Sequence, residues 1–480
     1  MRNLGRATRT TAIAGALCLA LAATVFAGGK LSSSEWRDVS KKVRKTLKAG
    51  PAYSSQLASL LAEVAADDSK RAVKLIESAA TENTAPEVFD AARDALAGLS
   101  EPDAVEYCAK KLSRGSGSWG FRVLLADAFS RRSDNETIVA LNEALEDRQD
   151  EVVRAVLMAI ESRRSKSSIE PLIARLEEFE KKEDDGLIPS RVREVLESLT
   201  GEDLPKAVDW RNWWNARKND FHVNPRPTTG GKKKEKVGGT VSRRPKFFGT
   251  ELKSRNLCFV IDVSGSMQAT DPAPPGGTGR PQTGGKDGEE PQVAPSRVRV
   301  ERAKWQLKKA IEALPDGARF TVISYSGALI AGQAPKKNDP IKPKVGGFEW
   351  LKVWSKKLVP ANKRSKGAAL KFVDELKAEG GTFTYRALRT AFMIPDVDNI
   401  IILSDGAPND PDGPQPMTTD DILNEVKRIN NFRKVVIDTF GFEMNMGAPS
   451  GLTQAGPSNP FVDFLKKLAK QNSGKYTPIK

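Results

Sequence analysis

A helical pattern that repeats about every 32 residues restricts the fold of the first half of this chain more than any other feature. Four amphipathic segments share this pattern, and their equivalent apolar residues are Val73, Val105, Ile138 and Ile169. These positions lie 32, 33 and 31 residues apart. A second type of helix recurs between them, at 88–96, 121–129 and 152–160. One helix pair cannot bury its apolar face alone, so such units stack, and the pattern predicts an all-α solenoid over residues 32–221.

Parts of this helical region resemble a known repeat family. The similar segments are Asp150-Glu-Val-Val-Arg-Ala-Val, the helix with Pro171-Leu-Ile, Leu199-Thr-Gly-Glu-Asp and Trp210-Arg-Asn-Trp-Trp. They are similar to short HEAT repeats and to the cap that closes them. The resemblance implies a broad surface for partners, and an irregular helical bundle is the alternative.

Three tryptophans lie close together at the end of this region. Trp210, Trp213 and Trp214 have the i, i+3, i+4 spacing of residues on one face of a helix. We therefore expect them to pack against the last repeat, and a ligand platform is the alternative.

The first 27 residues have the pattern of a secretory signal peptide. Three Arg residues precede an apolar stretch over 12–26, and the small residues Val25 and Ala27 then form a cleavage site. The apolar stretch is shorter than the roughly 20 residues that span a membrane, so an uncleaved anchor is the second interpretation. We expect an extracytoplasmic protein, periplasmic or secreted, that would contact a membrane only if this segment stayed uncleaved.

The composition argues against several classes of enzyme. His222 is the only His among 480 residues, and it lies in a Pro-rich stretch. Ser-His-Asp and Cys-His catalysis need a packed imidazole, and zinc sites usually need more than one. The sequence has no G-x-x-x-x-G-K-[ST] phosphate loop. With Cys18 in the signal segment, Cys108 and Cys258 are expected to be buried free thiols.

The chain has a net charge of +15, and much of it lies in a segment rich in Pro and Gly, which we assign as a linker over residues 222–249. Residues 222–246 hold eight Lys or Arg against Glu235, a net charge of +7. This composition is typical of a solvated tether. Adhesion to an acidic surface, such as anionic lipid or polysaccharide, is the alternative. No aromatic residues interleave the basic run, and no nucleic-acid partner is expected.

From residue 250 to 480 the pattern changes to strands that alternate with helices. Short apolar runs predict buried strands at 257–262, 319–325, 399–404 and 434–440. Amphipathic runs predict helices at 298–314, 366–377, 385–392, 420–430 and 461–471. This alternation predicts an α/β, doubly wound, mostly parallel sheet. Ligands of such sheets bind beyond the carboxyl ends of the strands.

Polar motifs occur at those strand ends. Asp262-Val-Ser264-Gly-Ser266 follows the first strand, and Asp405-Gly406 follows the strand at 399–404. Gly380-Gly381-Thr382 opens a helix between them. In this order and context, the three motifs resemble the von Willebrand factor A domain. They match its metal-ion-dependent adhesion site at all five positions, namely Asp262, Ser264, Ser266, Thr382 and Asp405.

The resemblance implies a divalent cation at these five residues, Mg²⁺ or a similar ion such as Mn²⁺ or Ca²⁺. Such hard cations prefer oxygen ligands. Ser264 and Ser266 are then direct ligands, and Asp262, Thr382 and Asp405 bind the ion directly or through water. Neutral hydroxyls leave the ion electrophilic, so an Asp or Glu of a protein partner can complete the coordination shell. Polar loop and helix-cap chemistry, with Thr382 as an N-cap, is the alternative.

Two features depart from an ordinary domain of this family. Residues 268–296 form an insertion rich in Pro and Gly, which we expect to be disordered on the metal-bearing rim. It would shield the ion, supply an internal acidic ligand such as Asp271, or have no role. The second feature is Asp410-Pro-Asp412, interpreted as a solvated turn, with a second ion site as the alternative.

These observations favour a protein-interaction role, adhesion or scaffolding, in which the metal site captures an acidic residue of a partner. A structural alternative is that the solenoid binds the partner and the metal only stabilises the fold. A remote alternative is a metal-assisted hydrolase. No catalytic residue is assigned, because no base with a raised pKa is evident from the sequence, and we expect a protein that is not an enzyme.

Overall fold

The computed structural model describes residues 30–223, 244–271, 294–327, 351–412, 415–442 and 459–479. The predicted signal peptide, most of the predicted linker and most of the 268–296 insertion lie outside the described residues. Within those ranges, no helix combines the length and the apolar composition needed to cross a membrane.

Eleven α-helices make up the part of the chain between residues 33 and 217. They are α1 (Ser33–Ala49), α2 (Ser54–Ala65), α3 (Lys70–Glu82), α4 (Pro86–Ala97), α5 (Pro102–Ser113), α6 (Trp119–Phe129), α7 (Asn135–Glu143), α8 (Asp150–Arg163), α9 (Ile169–Lys181), α10 (Leu187–Thr200) and α11 (Ala207–Arg217). Local sequence explains where several of them begin. The side chains of Ser32, Ser69, Ser118 and Asp134 cap α1, α3, α6 and α7. Proline occupies the first turn of α4 and α5, where no intrahelical N–H is needed.

The helices stack in two layers. Even-numbered helices α2 to α10 contact one another in order, as do odd-numbered helices α1 to α11, and most consecutive helices pair across the layers. Val73, Val105, Ile138 and Ile169 lie near the starts of α3, α5, α7 and α9, and all four are buried. The prediction of an all-α N-terminal region is confirmed, and the stacking of helix pairs is consistent with repeats.

The three tryptophans of α11 pack at the end of this stack. Trp210 and Trp214 are buried, and Trp213 packs beside them against Phe221. The Trp210 indole N–H donates to the backbone carbonyl of Leu204 at 3.0 Å. These contacts agree with the packing interpretation.

The C-terminal half contains short strands and five further helices in the described ranges. The elements are β1 (Lys246–Phe247), β2 (Thr250–Glu251), β3 (Asn256–Asp262), α12 (Arg299–Glu312), β4 (Arg319–Tyr325), β5 (Leu351–Val353), β6 (Val359–Pro360), α13 (Lys363–Asp374), α14 (Thr384–Phe392), β7 (Asn399–Ser404), β8 (Pro411–Asp412), β9 (Gln415–Pro416), α15 (Thr419–Arg433), β10 (Val436–Phe442), α16 (Pro460–Gln471) and β11 (Tyr476–Ile479).

The main sheet has the strand order β11-β10-β7-β3-β4-β5, with β6 also paired to β4. The strands from β11 to β4 are parallel, whereas β5 and β6 run antiparallel to β4. Alternate residues of the central strand β3 enter different cores: Phe259 packs on one face of the sheet and Val260 on the other. The α/β, doubly wound prediction is therefore confirmed.

The C-terminal core begins before the predicted end of the linker. Phe247 was placed in the 222–249 linker, yet it is fully buried and its ring packs edge-to-face against Phe440 at 4.9 Å between centroids. Phe248 packs partly against the same core. The basic residues around this pair obscured it, because the charge pattern of the segment is that of a tether.

Cys108 and Cys258 are both free and buried, as expected. They lie in different cores, Cys108 in α5 and Cys258 in β3. Burial raises the pKa of the Cys108 thiol to about 12 and raises that of Cys258 further.

The helical stack docks on the C-terminal half through α15, which packs on α4 and α6. The Phe432 ring lies edge-to-face against Phe89, with 5.1 Å between centroids, and also contacts Trp119. Ion pairs flank these rings, Lys427 with Asp90 at 2.6 Å and Lys434 with Asp127 at 2.7 Å. Further along the stack, the Arg154 guanidinium donates to the Arg433 carbonyl at 2.9 Å.

These contacts lie towards the amino ends of the parallel strands. Lys434 lies two residues before β10. Lys253 and Arg255, which pair with Glu194 and Asp185, lie just before β3. The helical stack therefore covers the amino ends of the parallel strands, and β3 and β7 end on the opposite side of the sheet.

Replacing Phe432 with Ala should weaken this docking. The substitution removes the ring between Phe89 and Trp119, and we expect the free energy of unfolding to fall by about 2–3 kcal/mol, with the two halves unfolding in separate transitions. Calorimetric and urea unfolding would measure both effects. Met393→Ala, at a side chain that is 74% exposed, is the control and should behave as wild type. Unfolding of Phe432→Ala that superimposes on wild type would contradict this account of the interface.

Candidate functional site

The predicted site lies where β3, β4 and β7 end. Asp262, the last residue of β3, is paired in register with Tyr325 of β4, and its neighbour Ile261 is paired with Leu403 of β7. The Asp262 carboxylate is fully buried. It accepts hydrogen bonds from the Ser264 backbone N–H at 2.8 Å and from the Ser404 hydroxyl at 2.6 Å. One carboxylate thus ties the loop after β3 to the end of β7.

The two serines of the first motif contact the aspartate of the last motif. The Ser264 and Ser266 hydroxyl oxygens are 3.0 Å apart, and the Ser266 hydroxyl donates to Oδ1 of Asp405 at 2.6 Å. Ser264 and Asp405 are buried, whereas Ser266 is exposed. Residues that are more than 130 positions apart therefore meet at one place that solvent can reach.

Thr382 reaches this place through a close contact between glycine backbones. Gly380 has φ of +76°, and its carbonyl accepts from the Gly265 N–H at 2.8 Å. The Gly381 N–H donates to the Gly327 carbonyl. A Cβ on Gly380 would lie 2.4 Å from the Gly327 carbonyl oxygen, so no other residue fits there without displacement. The Gly-Gly pair of the motif is explained by this approach.

The side chain of Thr382 is not a helix cap. The N-cap position of α14 is Phe383, which makes no side-chain capping bond. Asn409 holds the Thr382 backbone on both sides. Its side-chain amide oxygen accepts from the Thr382 N–H at 2.7 Å, and its backbone N–H donates to the Thr382 carbonyl at 2.9 Å.

The space between the hydroxyls is bordered by Gly406. A methyl group on Gly406 would lie 3.5 Å from the Thr382 hydroxyl oxygen and 3.7 Å from the Ser266 hydroxyl oxygen. The absence of a side chain at Gly406 therefore leaves a small hollow beside both hydroxyls. The structure brings all five predicted residues, Asp262, Ser264, Ser266, Thr382 and Asp405, to one edge of the sheet.

The donor set suits a hard divalent cation. It consists of two carboxylates and three hydroxyls, and Mg²⁺ prefers such oxygens together with water. Within the ranges that the structure describes, no group of three or more His, Cys, Asp or Glu could hold a metal ion. A cation bound here would therefore depend on the serine and threonine hydroxyls.

The buried carboxylates of Asp262 and Asp405 repel each other when both are ionised. Burial, and in second place the nearby carboxylate of Asp405, raise the pKa of Asp262 from 3.8 to about 7. Because the folded-state pKa is raised, the stabilising contribution of protonated Asp262 is complete below pH 3.8 and is lost as the pH rises through about 7. A cation among these oxygens would favour the ionised carboxylates and offset that loss.

A residue that the sequence analysis did not identify, Arg299, contacts the site. Its guanidinium donates to Oδ2 of Asp405 at 2.8 Å and to Oδ1 of Asp271 at 2.8 Å. Arg302 pairs with the other oxygen of Asp271. Asp271, considered above as an internal metal ligand, is thus held by two arginines and acts on the site only through Arg299. The cluster of Arg residues at 297, 299 and 302 was the sequence feature that could have indicated a positive charge near the site.

Asp410 also differs from its expected role. The sequence analysis placed it in a solvated turn, but it is buried. Its carboxylate accepts from the backbone N–H groups of Tyr385 and Arg386 at 3.0 and 3.1 Å. Asp410 therefore satisfies the first turn of α14 and fixes the helix that follows Thr382.

Replacing Gly380 with Ala should destabilise the backbone contact that places Thr382 beside the serines. The new methyl group would meet the Gly327 carbonyl at 2.4 Å, and the positive φ adds strain, so we expect a loss of about 3 kcal/mol or more in the free energy of unfolding. Gly317→Ala is a matched control, because Gly317 also has positive φ but a methyl group there meets nothing within 4 Å. It should lose about 1–2 kcal/mol. Equal losses in the two variants, measured by urea unfolding, would disprove the close contact.

Comparisons with known proteins find similarity in the C-terminal half. A family model described as the von Willebrand factor type A domain matches residues 338–476, which include Thr382 and Asp405 and begin after the first motif. The von Willebrand factor A domain-containing protein 3A of Homo sapiens is 21% identical over 264 residues, which are 55% of this chain and 16% of that protein.

A solved structure, von Willebrand factor type A from Catenulispora acidiphila, is 21% identical and has a TM-score of 0.30. The match covers 47% of this chain and 38% of that one. This chain therefore spans less than two fifths of the length of either relative. Residues 338–476 thus match the von Willebrand factor type A (vWA) domain, and they lie within a doubly wound C-terminal half that follows an all-helical N-terminal region; this half is called the vWA domain below.

Proposed function

We propose that this protein acts outside the cytoplasm as an interaction protein whose vWA domain binds a divalent cation, Mg²⁺ in the first instance, and captures an acidic side chain of a protein partner. The vWA domain itself supports a protein-interaction role in general. The observation that carries the finer proposal is the position of the Ser266 hydroxyl oxygen, which lies 3.0 Å from that of Ser264 and 2.6 Å from Oδ1 of Asp405. Asp262 and Thr382 lie beside these three residues.

The residues present would hold the cation as follows. The hydroxyls of Ser264 and Ser266 would bind it directly, and Asp262, Thr382 and Asp405 would bind it directly or through water. The bound cation would supply a Lewis-acidic position that accepts a carboxylate from outside. The hollow beside Gly406 and the exposure of Ser266 leave room for such an approach.

The orientation of the two halves supports capture of a large partner. The helical stack contacts the vWA domain at the amino ends of the strands, and the five residues lie at the carboxyl ends. The stack therefore leaves the approach to the site open. The signal pattern in residues 1–27 supports the proposed location, where such a site would meet external partners.

The proposal does not involve turnover. Asp262 has a pKa of about 7, which suits a general base, and the sequence analysis did not anticipate it. Both oxygens of Asp262, however, accept hydrogen bonds from Ser264 and Ser404, and the side chain is fully buried. Asp262 is thus placed to organise the site rather than to take a proton from a substrate.

Cation binding can be tested by thermal unfolding with excess Mg²⁺ and with EDTA. At Mg²⁺ a hundredfold above its Kd, binding should stabilise the fold by about 2.7 kcal/mol, which corresponds to a Tm increase of roughly 2–4 °C. Gly406→Ala should fold normally in EDTA but lose this increase, because its methyl group would fill the hollow beside Ser266 and Thr382. Gly367→Ala, where a methyl group meets nothing within 4 Å, is the matched control and should keep it. A wild-type Tm that does not respond to Mg²⁺, Mn²⁺ or Ca²⁺ would refute cation binding.

Capture of an acidic residue can be tested with the immobilised full chain and an envelope extract. Wild type and Gly367→Ala should retain proteins in Mg²⁺ and release them in EDTA. Gly406→Ala should retain none of these proteins, and neither should wild type when carboxylates of the extract have been amidated with carbodiimide. If wild type and Gly406→Ala retain the same proteins, capture through the cation is wrong and the scaffold interpretation, with the helical stack as the binding surface, takes its place.

A further inference from the structure

Asp405, one of the two acidic residues of the site, already forms an ion pair with an arginine side chain of the same protein. Arg299 donates to Oδ2 of Asp405 at 2.8 Å, and the two side chains are 8% and 0% exposed. The other oxygen of Asp405 accepts from Ser266. Asp405 therefore faces the hydroxyls with one oxygen and the guanidinium with the other.

The position of Arg299 is set by the backbone. The Arg299 N–H donates to the Ala269 carbonyl at 3.0 Å, and the Asp271 N–H donates to the Arg297 carbonyl at 3.0 Å. These bonds join the start of α12 to the segment just after Ser266. The Asp271 carboxylate then holds Nε of Arg299 at 2.8 Å. Arg299 is a fixed part of the site rather than a mobile surface side chain.

This pairing changes the charge that a bound cation presents. Two ionised carboxylates would formally neutralise a divalent ion, and the site would then attract no further anion. With the charge of Asp405 compensated by Arg299, one positive charge remains on the ion. In a buried setting such a unit charge acts strongly on both the cation and an incoming anion.

Apart from Asp262, the neighbouring charged groups discussed above have partners of their own. Arg302 pairs with Asp271, which lies on the far side of Arg299. The charge of Asp410 is stabilised by two backbone N–H groups at the start of α14. Arg299 is therefore the group that decides how much of the charge of Asp405 is available to the ion.

We propose that Arg299 is a positioning residue that weakens cation binding and, in return, reserves one positive charge for a single carboxylate of the partner. This inference rests on the proposed function and adds to it the residue that sets the charge of the site. The inference also defines the class of ligand, because a carboxylate with one negative charge matches the single positive charge that remains on the bound ion.

A purely structural role for Arg299 would have a different signature. If the Arg299–Asp405 pair only held the fold together, its loss would weaken cation binding and carboxylate binding alike. The proposed role predicts that the two affinities change in opposite directions. This difference is the readout that separates the two interpretations.

The test uses the full chain and two titrations, Mg²⁺ by calorimetry and acetate against the Mn²⁺-loaded protein by water-proton relaxation. Arg299→Gln keeps a hydrogen-bond donor near Asp405 but removes the charge. It should bind Mg²⁺ roughly tenfold more tightly and acetate roughly tenfold more weakly than wild type. Arg299→Lys keeps the charge, so it should stay within about threefold of wild type.

Asp271→Asn gives an independent test, which remains informative if Arg299→Gln does not fold. It removes the acidic partner of Arg299 and leaves more of the guanidinium charge on Asp405. It should therefore bind Mg²⁺ more weakly and acetate more tightly, the reverse of Arg299→Gln.

The outcomes separate the inference from the proposed function. Weaker or unchanged Mg²⁺ binding by Arg299→Gln, or changes of the same sign in both titrations, would overturn the role of Arg299 while wild-type Mg²⁺ binding stands. Failure of wild type to bind Mg²⁺ in the same titration would overturn the proposed function and this inference together.

Discussion

The buried carboxylate of Asp262 holds the site together. It joins the loop after β3, through the Ser264 N–H, to the end of β7, through the Ser404 hydroxyl. β3 and β7 are neighbours in parallel register, so this single side chain links the two strands that carry the first and last motifs. Asp405, which follows Ser404 directly, is thereby placed against Ser266. The energetic cost of burying Asp262 is visible in its raised pKa, and it is the cost that a cation would relieve.

Much of this arrangement follows from local sequence. Strands β4 and β7 have the predicted limits, because continuous apolar runs bounded by polar residues specify both the type and the ends of a buried parallel strand. The order of the motifs then places Asp262 and Asp405 at one sheet edge. The repeat period likewise locates the stacked helices, since the aligned apolar residues must all face one core.

Other features depend on contacts that no local pattern records. The Arg299–Asp405 pair joins residues 106 positions apart, and nothing in the sequence around Arg299 specifies which acid it meets. Asp410 has the sequence context of a turn residue, and its role follows only from its contact with the backbone at the start of α14. Strands β5 and β6 have three and two residues, too few to show a period. The docking of α15 on the helical stack depends on Phe432, an aromatic residue in a helix that is otherwise rich in polar side chains.

The docking of the two halves also restricts how the helical stack can change in evolution. The anchor points on the stack are Asp90 in α4, Asp127 in α6, Arg154 in α8 and Glu194 in α10. Stacked repeats commonly gain and lose units, because each unit contacts only its neighbours. Here, inserting or deleting one unit between α4 and α10 would shift the remaining anchors by one helix spacing, about 8–10 Å, out of register with the sheet. The copy number of the central repeats is thereby locked by the vWA domain, whereas units could still be added before α4 without disturbing the anchors.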